Sequence, residues 1–96
     1  MIKRVLLFKI KVGTPQTEVE ELLRVLGTYP TELPGVLNWS LGQNLSGDQS
    51  FDYALVCDFD SRPDLDGYMM HPYHRETAGE YYRPIVERSA SIYYEF

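Results

Sequence analysis

A single cysteine, Cys57, stands in the chain, so no internal disulfide can brace it. No basic residue adjoins that thiol to activate it, and Ala54-Leu55-Val56-Cys57 reads as a buried strand in which Cys serves as a small hydrophobe. Positive charge is scarce as well. Nine Lys and Arg stand against fourteen Asp and Glu, a net charge of -5. A nucleic-acid partner needs a basic face and is excluded, and the same sign disfavours anionic membranes. Apolar runs are short, Val5 to Phe8 among them, and none could cross a bilayer. The start Met1-Ile2-Lys3-Arg4 leads into an apolar stretch far too short for a signal-peptide core, so a cytoplasmic location is expected. Glycine-rich phosphate loops are lacking too: Gly42, Gly47 and Gly79 stand alone, and no cofactor is expected.

What remains is an ordinary globular composition, 44% hydrophobic and 24% charged over 96 residues, enough for one domain spanning residues 1–96 and one small core. Tyrosine is abundant at eight residues, with Tyr81, Tyr82, Tyr93 and Tyr94 crowded toward the C-terminal end. An apolar ring with one polar handle suits a wet cavity or an interface.

Hydrophobic spacing orders the chain. Ile2 to Lys11 alternates as a strand, with Ile2, Leu6, Phe8 and Ile10 on one parity and Val5 and Leu7 on the other. Gly13 ends it. Thr14 is placed to cap a helix that Pro15 opens, in which Val19, Leu22, Leu23 and Leu26 share a face until Gly27 stops it. The segment from Tyr29 to Gly35 predicts a loop, Val36 to Leu41 a second strand, and Tyr53 to Phe59 a third. Ser61 with Asp64 forms a capping pair for a helix that breaks at His71-Pro72, resumes from Pro72 and reaches about Tyr82. A last strand runs from Arg88 to Glu95. The order βαββαβ predicts an α+β, ferredoxin-like fold: a four-stranded antiparallel sheet with the helices on one face.

The second sheet face carries Val5, Leu7, Ala54 and Val56, where a solvated face should be polar. A second copy packed sheet to sheet would cover it as a homodimer; alternatively Lys3, Lys9 and Lys11 keep that face in water. Chemistry concentrates on Tyr68, His71 and His74. A histidine can take an acidic α-proton while a tyrosine hydroxyl donates to the enolate oxygen. His71, before Pro72, fits a structural helix cap; His74, one turn inside, fits either an active-site or a structural role. A metal site from His71, His74, Glu76 and Asp64 is the rival reading, but no His-Glu-x-x-His or cysteine cluster accompanies the pair and no metal is expected. Arg4 shares the parity of Leu6 and Phe8 and points toward the helices. It either pairs with an acidic residue or offers its fork to a substrate carboxylate or enolate.

The stretches Ile2 to Lys11, Leu33-Pro34-Gly35-Val36, Tyr53 to Phe59 and above all Tyr68-Met69-Met70-His71-Pro72-Tyr73-His74 resemble the stress-responsive A/B barrel domain family, Dabb, over nearly the whole chain. Within it the likeness is to polyketide cyclases of the olivetolic acid cyclase type. The resemblance implies a dimeric α/β barrel with a cavity between sheet and helices in each subunit. It implies a base at His74 assisted by Tyr68, and substrate contacts at Phe8, Leu22, Leu23, Leu26 and Leu55. Two further cavity histidines of those cyclases fall on Arg4 and Tyr53, which points to a different, acidic or smaller, ligand. The expected function is a cofactor-independent acid/base enzyme of polyketide cyclase or aldol type, acting on a small oxygenated or aromatic compound. His74 and Tyr68 would be catalytic, Tyr53 a hydrogen-bonding partner and Arg4 an anion holder. The alternative is a non-catalytic small-ligand-binding or stress-response dimer.

Overall fold

The computed structural model describes all residues from Met1 to Phe96. Strand β1 (Ile2–Ile10) is followed by helix α1 (Gln16–Leu26), a short helix α2 (Tyr29–Glu32) and strands β2 (Leu37–Gln43) and β3 (Tyr53–Phe59). Helices α3 (Arg62–Met70) and α4 (Pro72–Thr77), a π-helical turn (Ala78–Tyr82) and strand β4 (Val86–Glu95) complete the chain. The sheet order is β2-β3-β1-β4 with every pair antiparallel, and the chain is thus an α+β domain of ferredoxin-like topology.

Alternation in the central strands sorts side chains onto two faces. The inner face of β1 and β3 gives Ile2, Leu6, Phe8, Leu55, Cys57 and Phe59 to a core of 15 buried hydrophobic residues. From the helices, α1 supplies Val19, Leu22, Val25 and Leu26, and α3 supplies Leu65 and Tyr68. On the outer face the register sets Val5 between Val56 and Ile92, and Leu7 between Ala54 and Ala90. This apolar seam is left open on the single chain, with Ile92 62% exposed. At its end the Asp58 carboxylate takes hydrogen bonds from Lys3 Nζ at 2.7 Å and Asn38 Nδ2 at 2.9 Å, which hold its carboxyl below the usual range.

Local chemistry departs from the sequence expectation at several points. Thr14 does not cap α1; its hydroxyl donates to Lys11 O, and Pro15 occupies the cap position. Helix α1 ends at Leu26 with Gly27 as its C-cap, as expected, but Gly27 stays right-handed at φ −65° and the chain passes through Thr28 into α2 where a loop was expected. Strand β2 begins one residue later than predicted and runs on to Gln43. Asn38, at φ 51°, makes an irregularity that a short polar side chain tolerates. Strand β4 begins earlier, at Val86. Ser61 caps α3 as expected, with Oγ accepting from Asp64 N and donating to the Asp64 carboxylate. The break at His71 is also present: the residue takes extended angles (φ −62°, ψ 135°) before Pro72 opens α4.

Candidate active site

The helices cover β1 and β3 but leave most of β4 open, so a cavity of about 300 Å³ lies between the inner sheet face and the C-terminal helical segments. Arg4, Leu6 and Leu55 come from the central strands. Tyr68, His74 and Ala78 line it from the helices, Leu26 and Tyr29 from α1 and α2, and Ser89, Ser91 and Tyr93 from β4. Most of the lining is apolar, as in small-molecule sites.

Of the residues singled out from sequence, Arg4, Leu26, Leu55, Tyr68 and His74 meet at this cavity. Phe8, Leu22, Leu23 and Tyr53 do not line it. Phe8 and Leu22 are shut in the core, and Leu23 is half-buried on α1 beside it. Tyr53 stacks on Phe8 with ring centroids 5.4 Å apart. Phe8 and Leu22 lie outside the cavity because close packing between α1 and the sheet fills that end of the interior, and Tyr53 lines a separate depression with Phe51 and Ala54.

His71 caps α4: its Nδ1 accepts from Tyr73 N at 3.1 Å. That bond occupies Nδ1 and leaves only Nε2 open, while Asp64 is tied to Ser61. No three His, Cys, Asp or Glu side chains converge on a point that could hold a metal ion.

His74 lies against two aromatic rings, 4.8 Å from Tyr68 and 5.7 Å from Tyr29 between centroids, and no carboxylate pairs with it. Burial, assisted by the positive charges of Arg4 and Arg83, pushes its pKa down to about 4, so the imidazole is neutral at pH 7. Burial pushes the Tyr68 phenol well above its ordinary value, and Tyr68 stays a neutral proton donor. Arg4 is only 6% exposed, its guanidinium lies 5.8 Å from the centre of the Tyr68 ring, and no acidic residue pairs with it. Its Nε has no hydrogen-bond partner. The acidic-partner alternative for Arg4 is therefore not what the fold provides.

Tyr29, expected in a loop, is the aromatic hub of the site, packing on Trp39, Tyr68, Tyr73 and His74. The Thr77 hydroxyl, spending its one hydrogen on Tyr73 O, accepts from Tyr29 Oη at 2.6 Å. The Thr28 hydroxyl likewise donates to Val25 O and accepts from Tyr73 Oη. Both bonds tie α2 to α4 and hold His74 against the cavity. Thr28 before Tyr29-Pro30 was the signal for α2, a capping-type residue followed by proline in a first turn. Tyr82 and the Ser89 and Ser91 pair carry no comparable mark in the sequence.

An antiparallel four-stranded sheet with helices on one face and a lined cavity between them defines a ferredoxin-like domain with an internal cavity. The chain belongs to the Stress Responsive A/B Barrel Domain family, Dabb, which it matches over residues 2–96. No curated protein matches it. Among solved structures it is similar to a dimeric protein of unknown function and ferredoxin-like fold from Bacteroides fragilis (24% identity, covering 99% of this chain and 95% of that one, TM-score 0.80). A Dabb family protein from Mesorhizobium loti is similar at 19% identity, 99% and 95% coverage and TM-score 0.88. So is the hydroxynitrile lyase of Passiflora edulis, at 20% identity, 97% and 90% coverage and TM-score 0.86. At such identities the likeness establishes the fold. No helix is long and apolar enough to cross a membrane.

Proposed function

We propose that the protein is a homodimeric, cofactor-independent acid/base enzyme that acts on a small oxygenated or aromatic compound, of polyketide cyclase or aldol type. The observation that carries this reading is the meeting of a neutral imidazole, a neutral phenol and an unpaired guanidinium at one mostly apolar cavity. In that arrangement His74 takes the acidic proton between two carbonyls, and the resulting enolate oxygen is held by Tyr68 and Arg4. The carbanion adds to a second carbonyl of the same molecule, closing a ring, and the imidazolium returns its proton to the new alkoxide. An imidazole of pKa about 4 is a weak base in the empty cavity. An anion on Arg4 cancels one of the charges that depress it, so base strength rises when substrate is bound.

The dimer reading rests on the open seam of Val5, Leu7, Ala54 and Val56, whose cover would be a second copy. Dimeric neighbours of the same fold support it. To test the catalytic reading, short diketo and triketo acids are offered to wild type and His74→Ala, and ring closure is followed by ultraviolet absorbance. Turnover lost in His74→Ala supports it. Stoichiometric binding without turnover in wild type would favour the non-catalytic ligand-binding dimer instead.

A further inference from the structure

Two buried side-chain polar atoms, Arg4 Nε and Trp39 Nε1, lack a hydrogen-bond partner, and a third, Tyr82 Oη, makes no bond of ordinary geometry, its nearest polar neighbour being Ser89 on the same cavity wall. Such orphans are costly, and two of the three belong to residues that line the same cavity. They arrive from different elements. Arg4 rises from near the start of β1, where Cys57 and Tyr93 flank it across the sheet. Tyr82 closes the π-helical turn, in which Arg83 N bonds to Ala78 O at 2.9 Å across one residue more than an α-helical turn spans. That widened turn sets Ala78 and Tyr82 on the cavity wall, and such turns recur at functional sites. The Tyr82 ring is braced edge-on by Phe8 at 5.3 Å, and Phe8 is braced by Tyr53.

The charge of the lining is as informative. The chain as a whole is acidic, at -5, yet no Asp or Glu faces this cavity and Arg4 is its one permanent cation. Burial raises the phenols of Tyr29, Tyr68 and Tyr82 above their ordinary value and keeps them neutral, and the Arg4 charge, which also reaches His74, opposes that rise. An uncompensated guanidinium in an aromatic cavity of about 300 Å³, roughly the liquid volume of ten waters, is matched by a ligand with one negative charge and a compact flat body.

We propose that the cavity is a selective site for a compact aromatic or unsaturated monocarboxylate, clamped between the Arg4 guanidinium and the Tyr82 hydroxyl. This rests on the assignment of the cavity as the ligand site made above, but not on its catalysing anything. One carboxylate oxygen takes the Arg4 donors and the other takes the Tyr82 hydrogen, while the ring lies among Leu6, Leu55 and Tyr68. Tyr82 is thus a specificity-determining residue, distinct from His74, which moves the proton, and Tyr68, which holds the enolate oxygen.

Benzoate and its neutral isostere benzamide test the clamp by titration calorimetry against the full chain. Wild type is expected to bind benzoate at least about tenfold more tightly than benzamide, since a hydrogen bond to a charged group exceeds a neutral one by about that factor. Arg4→Gln abolishes the preference, and Arg4→Met serves as a second variant that adds no buried amide. Tyr82→Phe weakens benzoate about tenfold and leaves benzamide unchanged. Equal binding of the two probes, no binding of benzoate at millimolar concentration, or a preference that survives loss of Arg4 overturns the proposal. Unaltered benzoate affinity in Tyr82→Phe overturns the clamp. Benzoate preference in a protein that turns nothing over refutes the enzyme reading alone, and turnover without carboxylate preference refutes this inference alone.

Discussion

Replacing Arg4 by methionine should make the empty protein more stable while depriving it of its ligand. The guanidinium is 6% exposed, its Nε has no partner, and no carboxylate neutralises it. Leaving one such donor unsatisfied costs about 1–3 kcal/mol. Against this stands the contact of Arg4 with the Tyr68 ring at 5.8 Å, a cation–π geometry worth about 0.5–1 kcal/mol. Methionine keeps the length and flexibility of the side chain, so no large cavity opens beneath Leu6 and Leu55. Subtracting the middle values leaves a gain of about 1 kcal/mol, which in a domain of this size raises the melting temperature by roughly 4–8 °C. The assay is calorimetric melting of both proteins at equal concentration, because the stability of a dimer depends on concentration. A melting temperature at or below that of wild type would refute the reasoning, since it would mean that the guanidinium is already satisfied in the free protein.

Titration of His74 by NMR should give a midpoint near pH 4, and Arg4→Met should move it upward. Because the folded-state pKa is depressed from 6.5, the unfolded chain takes up a proton that the folded one refuses. This contribution is constant above pH 6.5, and stability falls as pH drops from about 6.5 to 4, by up to about 3 kcal/mol; His74→Ala should remove that slope. Loss of the cap in His71→Ala should cost about 1 kcal/mol in chemical denaturation while ligand binding persists. Val56→Asp, which puts charge into the apolar seam beside Val5, should halve the mass measured by light scattering. A dimer that survives it would place the interface elsewhere.

The fold was legible because β1 buries every second residue from Ile2 to Phe8, β3 gives Leu55, Cys57 and Phe59 of one parity to the core, and α1 keeps a helical period. The cap at Ser61 and the break at His71-Pro72 were legible for a local reason: capping and proline act within a few residues of the backbone they govern. Tyr29 was lost because the glycine and prolines around it suggested a loop, whereas packing on Trp39 and Tyr68 favours one helical turn. Arg4, Tyr68 and His74 could be picked out by residue type and parity. Phe8, Leu22, Leu23 and Tyr53 could not be told from cavity residues, since parity says which face a side chain enters but not where on that face the packing closes. Tyr82 was hidden because the widened turn that aims it depends on tertiary contacts with Phe8.

The claim that His74 moves protons in this cavity is tested most directly by deuterium exchange. Benzoylacetate, a flat monocarboxylate with acidic hydrogens between two carbonyls, is incubated with the protein in deuterated buffer, and loss of the α-proton signal is followed by NMR. The account predicts exchange well above the buffer rate with wild type. It predicts the buffer rate with His74→Ala, in a protein that still melts cooperatively. Exchange no faster than buffer with the compound bound to wild type, or undiminished in His74→Ala, would contradict it.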